Sequence, residues 1–246
     1  MINPEHAAYC GLDATTSDVI TRAPAFAVLP VGAHEQHGAH LPLATDSLVA
    51  AWAGEQVAHR LGGMLLPTIP YGTSFTHRTF PGTITLEWAT LAAIVSDVVA
   101  ACYSHHVMTV FVLSGHGGNF ILNPCVRSLN ARRPDGQVVL VPELAFFGES
   151  MSATDFHAGR WETSLILALR EKAVRMESAV DCVPPNVSRS ELTNRPISDF
   201  TPTGVWGYAT QGTRQEGVHL LTEMSDRLCA YVSGWLERLT AERATS

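Results

Sequence analysis

The sequence lacks any apolar run approaching the ~20 residues of a membrane-spanning helix. Met1 to Ile20 carries Glu5, Asp13 and Asp18 with no apolar core, so no signal peptide is expected there. Cysteine is sparse: Cys10, Cys102, Cys125, Cys182 and Cys229 are odd in number and far apart. That excludes a disulfide framework and fits reduced, buried thiols in a cytoplasmic protein. Positive charge is also short, with 16 Lys and Arg, scattered, against 23 Asp and Glu, a formal net charge of −7. No basic stripe for nucleic acid can be built from them, and no membrane contact is expected. No Pro/Gly/Ser-rich linker or internal repeat interrupts the 246 residues, which therefore read as a single domain, 1–246. What is present is ordinary globular material, 46% hydrophobic and 16% charged, enough for a large core.

Apolar strand-like runs alternate with amphipathic helices. Strands are expected at Ala25 to Leu29 (closed by Pro30), Gly63 to Ile69, Val107 to Leu113 and Val138 to Val141. Helical spacing begins at Asp46 and runs to Leu61, then recurs at Leu86 to His105, Asn119 to Arg132, Glu162 to Arg175 and Glu216 to Arg238. Asp181 to Thr213 is irregular, rich in Pro, Ser, Thr and Asn, yet contains Phe200 and Trp206. It is too polar to pack alone and too aromatic for plain linker, so it is expected to cover the active-site mouth or a neighbouring subunit. The alternation argues for an α/β fold with right-handed crossovers and a mainly parallel sheet covered on both faces. In such sheets chemistry gathers at the carboxyl ends of the strands.

Three clusters lie at such places. The first is Val31-Gly-Ala-His-Glu-Gln-His-Gly-Ala-His-Leu-Pro-Leu-Ala-Thr-Asp46. Glu35 and His37 are two apart, so an extended chain points both to one side, and Asp46 opens a helix that can turn back towards them. Carboxylate with imidazole suits zinc, manganese or iron. The competing reading makes Asp46 a helix cap and Glu35 a solvated acid. The second is Ser114-Gly-His-Gly-Gly-Asn119 after the strongest strand, where the glycines permit a sharp turn beside His116 and Asn119 can cap the next helix. A phosphate nest is the alternative, although the spacing matches neither the dinucleotide fingerprint nor the P-loop. The third is Asp155-Phe-His-Ala-Gly-Arg-Trp-Glu-Thr-Ser164, with His157 and Glu162 at a helix entrance and Asp155 placed to cap. Taken singly, Glu162 could merely favour the helix dipole. Convergence of all three on one rim is the more economical reading.

Together these runs, with Phe80-Pro-Gly-Thr83, resemble the creatininase (creatinine amidohydrolase) family over about residues 25 to 235. The resemblance implies a three-layer α/β/α sandwich with a mainly parallel central sheet. It also implies two divalent metal ions per chain (zinc, manganese or iron), hydrolysis of a carbon–nitrogen bond in a small amide or lactam, and a homo-oligomer, commonly a hexamer. Carried over residue by residue, Glu35, Asp46 and His116 hold one ion, and His37 with a bridging Asp46 holds the second. His157 matches a catalytic histidine. Paired ions lower the pKa of a bound water to about 7 and polarise the substrate carbonyl, and His157, with a pKa near working pH, is the expected proton donor to the leaving nitrogen. Gly118 stands where creatininase has a Glu ligand of the second ion, Ala153 where it has a Trp, and Arg160 where many relatives have Glu. Glu162 is therefore expected to complete the second ion's ligands or to act as an acid–base group, ahead of Glu143, Glu149 and Asp155. The glycine form of the loop is closer to other branches: the mycofactocin-associated peptidase, a formamide deformylase and an inosose ring hydrolase. A phosphate-binding protein and an inactive scaffold are the non-enzymatic alternatives. His77, beside Arg78 in the long polar loop, could line the pocket but is read as structural and left out of the site, and His34, His40, His59, His105, His106 and His219 are given no role.

Overall fold

The computed structural model describes residues 8–133, 135–142, 145–146, 154–184 and 189–245. Its central sheet has four strands, β1 (Ala27–Val31), β2 (Met64–Leu65), β3 (Thr109–Ser114) and β4 (Gln137–Leu140), in the order β2-β1-β3-β4. Every pairing is parallel: Val28 is level with Leu65 and Phe111, and Phe111 with Val139. β1 is buried along its whole length, as continuous apolar runs in parallel sheets demand.

Side-chain alternation along the strands divides the core. Val28, Phe111, Leu113 and Val139 pack on one side with α2 (Thr45–Leu61), α5 (Arg160–Arg170) and α6 (Arg214–Thr245). Ala27, Leu29, Val31, Val110, Val112 and Val138 pack on the other with α3 (Trp88–Ser104) and α4 (Leu122–Arg132). The result is the expected three-layer α/β/α sandwich.

Local differences from the sequence reading have physical causes. Pro30 does not end β1 but lies inside it. Its carbonyl accepts from Ile69 N at 3.0 Å, and its missing N–H faces the gap where β2 has already stopped, so no ladder bond is lost. A short α1 (Thr16–Arg22) precedes β1, opened by a capping box between Thr15 and Asp18. Asn119 does not cap α4, which starts three residues later. The stretch 181–213 contains an antiparallel pair, β5 (Asp181–Cys182) with β6 (Gly207–Tyr208), and short 3-10 turns including Arg189–Thr193 and Ile197–Asp199. No helix among the described residues is long and apolar enough to cross a membrane, and all five cysteines are free thiols.

Candidate metal centre

The carboxyl ends of β1 and β3 and the entrances of α2 and α5 meet at one point. Past Val31 the chain is pinned on both sides: Glu35 N donates to Leu43 O at 3.0 Å, Gln36 N to Thr83 Oγ1 at 3.0 Å, and Ile84 N to His34 O at 2.9 Å. The Phe80 to Thr83 loop is thus a brace for the Glu35–His37 run. Asp46 is the second residue of α2 but makes no capping bond; its carboxylate is buried and turned to the histidines. His116 follows β3. Asn119 holds its loop in place, with Nδ2 donating to Gly32 O at 3.1 Å and Oδ1 accepting from Thr73 N at 3.0 Å. Before α5, Asp155 accepts from Arg160 N at 2.9 Å and Trp161 N at 3.2 Å, the expected cap. His157 is fixed by paired backbone bonds with Trp206, 3.0 Å and 2.8 Å.

Two overlapping ligand groups result. Glu35, Asp46 and His116 form one, and His37, Asp46 and Glu162 the other, with Asp46 common to both. His116 Nδ1 lies 3.2 Å from Asp46 Oδ2, and His37 Nε2 lies 3.2 Å from Asp46 Oδ1 and 3.7 Å from Glu162 Oε1. A third combination, Glu35, His37 and His157, shares the same space. Assigned from the hydrogen-bond network, His37 donates Nδ1–H to Glu35 O at 3.1 Å, which leaves Nε2 bare between two carboxylates. Only a proton or a cation reconciles that arrangement. Among the described residues, seven buried side-chain nitrogen and oxygen atoms lack a hydrogen-bond partner, and Glu35 Oε2, His37 Nε2 and Asp46 Oδ2 are three of them. Orphaned acceptors converging on one spot fit metal ligands.

The charges agree. Burial pushes Glu35 up to about 7, opposed by His116. Burial works against a charged His116 too, but Glu35 and Asp46 overcome it and raise its pKa to about 9. His37 is raised well above its ordinary value against its burial, by Asp46 and Glu162. Asp46 is held below the usual carboxylate range despite burial by His37 and His116, and Glu162 is lowered despite burial by His37. The histidines hold protons where cations would replace them. In the metal-free cluster, Glu35 and Asp46 beside the Gly115–Asn119 turn disfavour a phosphate there.

His157 departs from expectation. Burial, and then the charge on His37, lower its pKa to about 4, so it rests neutral instead of near working pH. Its Nε2 donates to Gln36 O at 2.8 Å, leaving Nδ1 bare, 3.7 Å from Glu35 Oε1. Two residues left out of the expected site also belong here. His77 is buried, with Nε2 3.6 Å from Glu35 Oε1 and its ring 4.3 Å from that of His157. Gln36 Nε2 reaches His77 Nδ1 at 2.9 Å and Gly204 O at 3.1 Å. Gln36 therefore sets the His77 tautomer that aims an N–H at Glu35. Nothing local in the sequence ties the two together, since they meet across 41 positions. His40 is buried outside the cluster, with Nε2 2.9 Å from Thr163 Oγ1. Glu143, Glu149 and Ala153 lie outside the described residues.

Glu162 has two jobs. Oε2 accepts from Ala158 N at the entrance of α5, while Oε1 faces His37. Gly118 has none to offer: a Cβ there would sit 2.2 Å from His116 Nε2 and 2.6 Å from Thr73 O, so a side chain fits only if the loop moves. A cavity of about 680 Å³ opens onto Glu35, Asp46, His116 and Glu162. Ser190, Leu192 and Thr193 of the irregular stretch line it, so that stretch contributes to the cavity wall.

Comparison with known proteins matches residues 13–232 to the family described as creatininase, creatinine amidohydrolase. The chain is 32% identical over 222 residues to a mycofactocin precursor peptide peptidase of Mycobacterium ulcerans (strain Agy99), covering 85% of this chain and 84% of the relative. It is 31% identical over 216 residues to a creatinine amidohydrolase of Pseudomonas putida, covering 79% and 83%. A solved structure titled creatininase Mn superimposes with a TM-score of 0.76 at 25% identity, over 90% of this chain and 96% of that one.

Proposed function

The chain belongs to the creatininase family of metal-dependent amidohydrolases, and from that premise we propose that it hydrolyses a carbon–nitrogen bond in a small neutral amide or lactam, using two divalent ions. The observation that carries this reading is the pair of ligand groups sharing Asp46, with unpartnered buried acceptors aimed between them. Glu35, Asp46 and His116 would hold one ion. His37, Asp46 and Glu162 would hold the other. Three carboxylates then offset most of the four positive charges, and Glu162 supplies the acid that Gly118 cannot. Bound ions would supply Lewis-acid activation of water and of the substrate carbonyl, zinc, manganese and iron all suiting this nitrogen and oxygen donor set.

The protein's own groups do the rest. His157, neutral and bare at Nδ1, takes the proton of the attacking water and returns it to the departing nitrogen. Its bond to Gln36 O and the paired bonds to Trp206 keep that nitrogen aimed at the site. His77 steadies Glu35, with Gln36 behind it. Leu192 of the irregular stretch lines the cavity, and the buried Trp206 backs His157 and Phe156. We read the chain as one cytoplasmic domain assembling as a homohexamer, in keeping with its free thiols and its family. The test is a screen of lactams, formamides and blocked dipeptides that follows released amine. Metal-loaded protein should turn over at least one class, chelation should abolish it, and manganese or zinc should restore it. Full activity without metal would refute the assignment.

A further inference from the structure

The cavity above the cluster has two chemically different halves. Its floor is acid and imidazole. Its wall is mainly apolar, with Thr76, Ser190 and Thr193 between the apolar groups, and these come from separate loops: Phe75 after β2, Phe120 after β3, Phe156 before α5, and Leu192 in the irregular stretch. One exposed aromatic needs no explanation, but four apolar side chains converging on one cavity do. Phe120 directly follows the glycine turn and Asn119, and keeps 66% of its surface exposed. Phe156 is held in place, packed edge-on against Trp206 with centroids 5.6 Å apart and its N–H bonded to Trp206 O. Phe156 is thus fixed before substrate arrives. No Lys or Arg is among the described residues lining the cavity; its ionisable groups are Glu35, Asp46, Glu162 and three histidines.

Resting on the amide-hydrolase reading, we propose that this cavity selects uncharged amides bearing an apolar group of aromatic size beside the scissile bond. Phe120 is the residue that sets the preference. A ring can stack in offset or edge-on fashion against the phenylalanines. A cavity of about 150 Å³ already accepts benzene, so 680 Å³ holds a ring together with the amide and its flanking atoms. A substrate carboxylate in the apolar half loses its hydration among phenylalanines and meets no Lys or Arg among the described lining residues, so it is disfavoured there.

Calorimetry on the manganese-loaded protein with three hydroxamates of identical chelating head tests this without turnover. 3-Phenylpropionohydroxamate should bind roughly ten-fold tighter than acetohydroxamate, the order expected for filling an apolar subsite, and succinic monohydroxamate more weakly than either. Phe120→Ala, at an exposed position whose fold a thermal melt checks, should reduce the phenyl advantage by about three-fold or more, with Phe75→Ala as the second variant. Equal binding of the phenyl and methyl probes, or a preference that survives both substitutions, overturns the proposal. A protein that takes up manganese but binds no hydroxamate overturns it as well. A protein that takes up no metal instead refutes the hydrolase reading beneath it, and the two failures are told apart by the metal content.

Discussion

Replacing Glu162 by Gln separates the two jobs of its carboxylate. At the entrance of α5 the amide oxygen of Gln can still accept from Ala158 N, the bond that Oε2 makes now. The loss there is the difference between a charge-assisted and a neutral hydrogen bond, about 1 kcal/mol. For a chain of this length that lowers the melting temperature by roughly 2–4 °C. On the other side, an amide N–H₂ takes the place of Oε1, 3.7 Å from His37 Nε2. A donor there faces the bare nitrogen and cannot bind a cation. Outer partners of metal ligands are worth 10–100-fold in affinity, so loss of a direct carboxylate should cost at least about 100-fold. Dialysis against graded free manganese, with metal counted by mass spectrometry, should show about two ions falling to about one. Both ions retained with turnover lost would make Glu162 an acid–base group. Both ions and full activity retained would refute the placing of α5 at the site.

Asp46→Asn should strip both ions, because both ligand groups use it, with each affinity falling about 100-fold or more; the same dialysis reads it. Gly118→Ala should cost about 1–3 kcal/mol, seen as a melting temperature lower by several degrees, because its Cβ meets His116 and Thr73. Asn119→Ala should cost about 1–3 kcal/mol in chemical denaturation, since Gly32 O and Thr73 N are left buried and unpaired. The charge on His116 stabilises the metal-free protein fully below about 6.5 and is lost as pH rises through about 9. An ion must displace that proton, so apparent metal affinity should climb roughly ten-fold per pH unit between about 7 and 9 for each proton displaced. Calorimetry in buffers of different ionisation enthalpy would count those protons.

The parts of this site that were legible in the sequence are those with local cause. A Glu and a His two apart after a strand, an Asp opening a helix, and a glycine turn around His116 each follow from the geometry of a strand end. Asp155 was legible as a cap because it stands just before a helix entrance. Long-range partners were not. Gln36 and His77 acquire meaning only when loops after β1 and β2 are brought side by side, and Trp206 only when the irregular stretch folds back onto His157. The ordinary pKa of histidine misled at His157, because burial and the charge on His37 are tertiary facts. Asn119 misled in another way: its place before a helix suggests a cap, but two backbone groups of neighbouring loops compete for its amide and win. Pro30 reads as a strand end unless one knows that β2 stops short beside it.

The most direct measurement is anomalous diffraction from crystals of the protein soaked in manganese. Two peaks are expected per chain, one bonded by Glu35, Asp46 and His116 and one by His37, Asp46 and Glu162, with Asp46 shared between them. A single peak without Asp46 in common, or strong peaks elsewhere with this cluster empty, would contradict the account.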